Sequence, residues 1–153
     1  MANTYTQLYV HFVFAVQNRQ SLILESWQSD LYKYMNGIIK QQGHKPYAIN
    51  GPSNHVHLLV SMDPTQSCSD LVYFIKRSSS LWINENKLVP GKFSWQEGFG
   101  AFSYGKSQIP KIVAYIDNQQ KHHKKKTFHE EYIAFLKAFD IDYDERYILK
   151  SID

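Results

Sequence analysis

Residues 5–16 read YTQLYVHFVFAV, and this stretch decides the fold class. Side chains in a β-strand point alternately to the two faces of the sheet. Every second residue from Thr6 to Val16 forms a face that is almost wholly apolar, whereas the other face, from Tyr5 to Ala15, mixes aromatic, polar and small side chains. The alternation predicts one long strand over Tyr5–Val16 that contacts a core on one side only.

Hydrophobic periodicity and capping residues predict the elements that follow. They are a helix over Glu25–Gln42 ended by Gly43, strands over Lys45–Asn50 and His55–Met62, a helix capped by Ser67 and running through Trp82, a strand at the end of Phe93–Tyr104, a helix from Ser107 through His122, and a helix over Phe128–Phe139 capped by Thr127 and Glu130. This order predicts an α+β fold, a ferredoxin-like or RRM-like split βαβ sandwich. Its antiparallel sheet should carry helices on one face, with the first and third strands adjacent and additional C-terminal helices.

Composition is typical of a folded globular protein, and we expect one domain over residues 1–153. Aromatic residues reach 15%, which suggests that some rings bind a flat ligand such as a nucleic-acid base. The net charge is only +3, but four of the seventeen basic residues lie within positions 121–126. The single cysteine, Cys68, excludes an internal disulfide. No long apolar segment or signal-like N-terminus is present, so we expect a cytoplasmic protein without a membrane partner.

Two pairs of polar side chains carry the chemical prediction. His55 and His57 alternate with the apolar residues of their strand, so both imidazoles project from the face opposite the core. Two imidazoles on one face can hold a divalent metal ion. Tyr115 and Gln119 lie four residues apart on a predicted helix and therefore project to the same side. A metal ion, a phenol and an amide oxygen suggest phosphodiester chemistry.

Each pair also has an ordinary structural interpretation. Two histidines spaced in this way are more often exposed or structurally hydrogen-bonded than metal-bound, and a helical tyrosine usually packs at the edge of a core. The apolar stripe of the Tyr115 helix is nevertheless formed by other residues, which places Tyr115 and Gln119 beside that stripe. A phenol with a pKa near 10 also needs help to lose its proton at neutral pH.

The chain resembles the single-tyrosine HUH transposases of small bacterial insertion sequences, and their relatives associated with repetitive extragenic palindromes, through nearly its whole length. The resemblance is carried by four segments: residues 9–15 (YVHFVFA), 51–60 (GPSNHVHLLV), 91–104 (GKFSWQEGFGAFSY) and 115–123 (YIDNQQKHH). In that family Asp often precedes the first histidine, and this chain has Asn54 there.

The resemblance implies a set of roles for the site residues. His55, His57 and Gln119 would be ligands of Mg²⁺ or Mn²⁺, and Tyr115 would be the nucleophile. The implied activity is the cutting and rejoining of single-stranded DNA at hairpin-bearing element ends through a 5′-phosphotyrosine, by a homodimer. Cis or trans assembly of the active site stays open. For DNA contacts the composition suggests basic side chains at Lys111, Lys121, Lys124, Lys125 and Lys126 and stacking rings at Trp95, Phe99 and Tyr104.

Two other functions fit parts of this pattern. A catalytically silent nucleic-acid-binding module derived from a transposase would keep affinity for DNA and form no covalent bond with it. A replication initiator or conjugative relaxase would share the chemistry, but those enzymes are generally larger and differently ordered.

Overall fold

The computed structural model describes residues 3–119 and 127–143. Four strands are formed: β1 (Tyr9–Ala15), β2 (Lys45–Asn50), β3 (His55–Ser61) and β4 (Gly100–Tyr104). The helices are α1 (Glu25–Gln41), α2 (Cys68–Glu85), α3 (Ile109–Asp117) and α4 (Phe128–Ala138), with short 3₁₀ turns at Gln17–Arg19 and Lys106–Gln108.

The strands form one antiparallel sheet in the order β2-β3-β1-β4. The first and third strands are therefore adjacent at its centre, as the split βαβ topology predicts. The predicted fold class is confirmed. Gly43 has a φ of 94°, which supports its predicted role just after α1, where the left-handed conformation costs glycine little.

The main core lies between the sheet and the helices α1 and α2. Phe12 and Phe14 of β1 and Val56 and Leu58 of β3 are fully buried in it, as the strand alternation predicts. Each such side chain contributes about 1.5–3 kcal/mol through removal of apolar surface from water.

The other sheet face is also covered, which differs from the prediction of helices on one face only. A second apolar cluster joins Val13, Ala15 and Phe102 of the sheet to Phe128, Tyr132 and Leu136 of α4. The approach is close at Gly100, where a Cβ atom would lie 2.8 Å from Tyr132 Cε1. The polar face of the central strands is therefore an interior surface rather than an open floor.

Two predicted boundaries are corrected. The first strand begins at Tyr9 rather than Tyr5, because Tyr9 pairs with Ser61 and Tyr104, the last residues of the two neighbouring strands. Ser107 does not cap α3. It lies inside the 3₁₀ turn, and Gln108 occupies the N-cap position. The helix α3 also ends at Asp117, with Asn118 at its C-cap, and does not continue to the predicted end at His122, a residue outside the described part of the chain.

The loop between β2 and β3 is held against the end of β1. The backbone N–H of Val16 donates to the carbonyl of Asn54 at 2.9 Å, and Gln28 Nε2 donates to the carbonyl of Gly51 at 2.8 Å. These bonds fix where β3 begins, and hence where His55 lies. Within residues 3–119 and 127–143, no helix has both the length and the apolar character needed to cross a membrane.

Candidate active site

The site is built on β3, where His55 and His57 project from the same face of the sheet. Both side chains are fully buried. His55 Nδ1 lies 2.7 Å from Asn54 Oδ1, which orients the ring so that Nε2 points into the site. Asn54, which differs from the usual Asp of the resembled family, thus contacts the first histidine directly.

His57 belongs to a buried chain of hydrogen-bonding groups. Its Nδ1 lies 2.8 Å from Nε2 of His11, and its Nε2 lies 3.0 Å from Oε1 of Glu131. His11 comes from β1, two residues before Val13, the residue that pairs with His57. Burial lowers the pKa of His11 well below its usual value, and the nearby His57 lowers it further, while Glu131 opposes the shift. The neutral form of His11 is therefore favoured.

Glu131 is the site residue that the sequence analysis missed. It lies in the first turn of α4, is buried, and places Oε1 3.5 Å from His55 Nε2 as well as 3.0 Å from His57 Nε2. One ligand atom from each of these three residues lies within 4.8 Å of the other two. The signal in the sequence is an acid within a helical apolar stripe, since Glu131 follows Phe128 by three residues and precedes Phe135 by four.

Tyr115 and Gln119 reach the same carboxylate from α3 and the residues just after it. The Tyr115 hydroxyl donates to Glu131 Oε2, and Gln119 Nε2 donates to the same oxygen at 3.4 Å. The rings of Tyr115 and His57 are 5.8 Å apart between centroids. The structure thus brings Tyr115, Gln119 and both histidines together around Glu131 within one chain.

The electrostatic surroundings keep the Tyr115 hydroxyl protonated in this arrangement. Burial raises its pKa most strongly, and the negative charge of Glu131 and the hydrogen bond to it raise it further. A carboxylate that accepts from a phenol stabilises the neutral phenol. A positive charge beside Glu131 would reduce the Coulombic part of this effect.

The donors present fit a divalent metal ion. Two neutral imidazoles and a carboxylate suit Mn²⁺ and similar borderline cations, and the amide oxygen of Gln119 can supply a further ligand. Each histidine also has its second nitrogen held by another side chain, Asn54 for His55 and His11 for His57. Such partners fix the ring orientation of metal-bound histidines.

The residues suggested for DNA contact are dispersed. Lys111 is exposed on α3, whereas Lys121, Lys124, Lys125 and Lys126 lie outside the described residues. Tyr104 is half-buried with its ring 6.2 Å from that of His11, next to the site. Trp95 and Phe99 instead pack against the α1–α2 core on the opposite face of the sheet, and Trp95 Nε1 donates to Ser79 Oγ at 2.9 Å.

Comparison with known proteins places the chain in a family. The model of the family described as "Transposase IS200 like" matches residues 4–119. The chain belongs to this family of transposases. The match ends before Glu131, so the site draws one of its central residues from outside the matched segment. No curated protein matches the chain significantly.

Solved structures support the fold. One is a candidate transposase from Deinococcus radiodurans R1, with a TM-score of 0.62 and 21% identity, covering 76% of this chain and 94% of its own. Another is a REP-associated tyrosine transposase bound to a REP hairpin, with a TM-score of 0.61 and 17% identity, covering 93% of this chain and 90% of its own. At these identities the similarity establishes the shared fold.

Proposed function

We propose that this transposase is a metal-dependent enzyme that nicks and rejoins single-stranded DNA at hairpin-bearing element ends. The observation that carries the proposal is the meeting of the half-buried Tyr115 with the buried side chains of His55, His57 and Glu131. A structural neighbour was solved with a REP hairpin, which supports a hairpin as the substrate of this chain as well.

The chemistry proposed for Tyr115 is an in-line displacement at phosphorus. A bond forms between the phenolic oxygen and the scissile phosphorus, and the bond from phosphorus to the 3′ oxygen breaks. The phenol loses its proton, and the departing 3′ oxygen gains one. The product is a 5′-phosphotyrosine, and attack by another 3′-hydroxyl reverses the step because the phosphodiester bond is conserved.

We assign the metal site to His55, His57 and Glu131, with Gln119 as a further oxygen ligand. A Mg²⁺ or Mn²⁺ ion bound there would polarise the scissile phosphate and stabilise the charge that develops on its oxygens. The Glu131 carboxylate also holds the Tyr115 hydroxyl, so the nucleophile is positioned beside the metal ligands before substrate arrives.

Tyr115, His55, His57 and Glu131 meet within one chain. We therefore propose that the active site assembles in cis. The homodimer implied by the family resemblance then serves to bring two DNA ends together rather than to complete each site. Mixing a Tyr115→Phe chain with a His57→Ala chain distinguishes the two arrangements. A site assembled in trans would regain activity in the mixed dimer, whereas a site assembled in cis would remain inactive.

The central test is covalent capture of DNA. Tyr115→Phe removes the nucleophilic oxygen and keeps the ring, so we expect complete loss of the protein–DNA adduct on a denaturing gel with a labelled hairpin-bearing single strand and Mn²⁺. Binding of the hairpin should be retained. Tyr104→Phe is the matched control and should still form the adduct.

Two outcomes would contradict the proposal. An undiminished adduct in the Tyr115→Phe protein would show that another residue is the nucleophile. Hairpin binding by the wild-type protein, with no adduct under any metal condition, would favour the catalytically silent binding module instead.

A further inference from the structure

The face of the sheet that carries the active site continues beyond it into a second group of aromatic and basic side chains. Strand pairing aligns Tyr104 with Tyr9, Tyr9 with Ser61, and Ser61 with Lys45. These four residues form one row across all four strands, here called the outer row. Tyr9 lies four residues from Val13, the partner of His57, so the row is about 13 Å from the site along the strand.

A bulge in β2 adds a further ring to the outer row. The register shifts between Pro46 and Ala48, which leaves Tyr47 as the extra residue of the bulge. Its ring contacts that of Tyr9 edge-on, with centroids 5.7 Å apart, so it lies on the same face. The side chain is 39% exposed, so its ring is accessible to a ligand.

Lys45 gives this surface a positive charge. Its side chain is exposed, and Nζ lies 5.1 Å from the centroid of the Tyr47 ring. The long flexible stem of lysine allows the ammonium group to move from the ring to a nearby phosphate. An exposed tyrosine beside an exposed lysine combines the two elements that bind single-stranded nucleic acid: a stacking ring and a backbone cation.

Tyr104 connects the outer row to the catalytic tyrosine. It pairs with Tyr9, its ring is 6.2 Å from that of His11, and it is close enough to Tyr115 to raise the pKa of that phenol slightly. The outer row therefore begins beside Tyr115, at Tyr104.

We propose that Tyr9, Tyr47 and Lys45 form a binding platform for the unpaired DNA that flanks the scissile phosphate. The proposal rests on the proposed function for the identity of the strand. Tyr47 stacks on a base, Tyr9 supports the Tyr47 ring from its edge, and Lys45 contacts the phosphate beside that base. Aromatic rings on a sheet face likewise bind single-stranded RNA in RRM domains.

The test measures affinity in a Tyr115→Phe background, so that no covalent chemistry intervenes. One labelled DNA is a hairpin with single-stranded flanks on both sides, and the other is the same hairpin without flanks. We expect Tyr47→Ala to weaken binding of the flanked DNA about 5- to 150-fold, the range for loss of one stacked base. Affinity for the DNA without flanks should change less than about twofold, and Tyr47→Phe should retain binding of the flanked DNA.

Lys45→Ala supplies an independent measurement. Loss of one contact to a single-stranded phosphate should reduce the slope of log affinity against log salt concentration by about 0.7 for the flanked DNA. Tyr73→Ala is the matched control, because Tyr73 is 58% exposed on α2, which packs on the opposite face of the sheet. Circular dichroism of every variant verifies folding.

The proposal is overturned if Tyr47→Ala binds flanked DNA as well as its parent does, or weakens both DNAs equally. It is also overturned if Tyr73→Ala weakens binding of the flanked DNA and Tyr47→Ala does not. That result would place the strand in the groove beside α2 that Arg77 and Lys92 line. These outcomes are separate from failure of the proposed function, which would appear as a wild-type protein that forms no DNA adduct.

Discussion

At the scale of single residues, Glu131 holds the active site together. One of its oxygens contacts both histidines, and the other accepts from Tyr115 and Gln119. A buried carboxylate is costly unless it is paired or coordinates a metal ion. The convergence of four polar side chains on this group offsets that cost and creates a site with a fixed geometry.

Glu131→Gln should weaken Mn²⁺ binding at least about tenfold in isothermal titration calorimetry, because a neutral amide replaces the charged ligand. Tenfold corresponds to about 1.4 kcal/mol. Glu130→Gln is the matched control, since the Glu130 side chain is exposed and accepts from Thr127 in the capping box. Unchanged affinity in Glu131→Gln, with a loss in Gln119→Ala, would assign the third ligand to Gln119 instead.

His11 should make folding stability depend on pH when metal is removed with a chelator. Its pKa in the folded protein is well below the usual 6.5, mainly because of burial. Between the folded pKa and 6.5 the unfolded chain binds more protons, so this histidine destabilises the fold as the pH falls below 6.5. In this range the free energy of unfolding should fall by up to about 1.4 kcal/mol for each unit of decrease in pH.

Urea unfolding at a series of pH values tests this contribution. His11→Phe should lower stability at neutral pH, because His57 loses a partner, but it should flatten the decline between pH 6.5 and pH 5. An equally steep decline in His11→Phe would assign the pH dependence to other groups.

At the scale of secondary-structure elements, the docking of α4 on the sheet determines whether the site is complete. Its apolar stripe packs on β1 and β4 and thereby carries Glu131 to the histidines of β3. The helix is started by a capping box, in which Thr127 Oγ1 accepts from the backbone N–H of Glu130 at 3.1 Å and the Glu130 side chain accepts in return from Thr127. Glu131 follows immediately and depends on this first turn being ordered.

Thr127→Ala should therefore affect both stability and the site. We expect a loss of about 1 kcal/mol in the free energy of unfolding, the usual effect of removing an N-cap, and several-fold weaker Mn²⁺ binding. Ser67→Ala is the matched control, because Ser67 caps α2 through the N–H of Asp70, and α2 contributes no residue to the metal site. Weaker metal binding in both variants would indicate a general loss of stability rather than a local effect of α4.

At the scale of the whole molecule, the sheet separates two interiors with different roles. The α1–α2 side is a conventional apolar core, whereas the α3–α4 side buries three histidines and a glutamate among aromatic rings. A metal ion that binds the folded chain only would stabilise it by mass action. A metal ion held by His55, His57 and Glu131 would therefore stabilise the docking of α4 on the sheet.

Mn²⁺ at one hundred times its dissociation constant should stabilise the fold by about 2.7 kcal/mol, which raises Tm by about 5–10 °C for a domain of this size. Differential scanning fluorimetry with Mn²⁺ and with a chelator measures the shift. His57→Ala should abolish it. His44→Ala should retain it, since His44 is buried elsewhere and bonds Gln66 at 2.7 Å. A shift that survives in His57→Ala would place the ion at another position.

Much of this architecture was predictable from local patterns. Alternation in β1 and β3 separates Phe12, Phe14 and Leu58, which face the core, from His11, His55 and His57 on the other face, because the pleat of a strand has a period of two. The spacing of Tyr115 and Gln119 predicts that they project to the same side, and both reach Glu131 although α3 ends at Asp117, before Gln119. The family resemblance then connects the two pairs to one chemistry.

The sequence by itself therefore determined the strand faces, the order of the elements and the pairing of histidines with a helical tyrosine. Only the tertiary structure decided that α4 covers the second face of the sheet and that Glu131, 74 residues after His57, completes the cluster. The physical reason is the separation along the chain between the residues that interact. Periodicity depends on neighbours within one or two turns, whereas the position of Glu131 depends on how Tyr132 packs against Gly100 and Phe128 against the sheet, and no local pattern records those contacts.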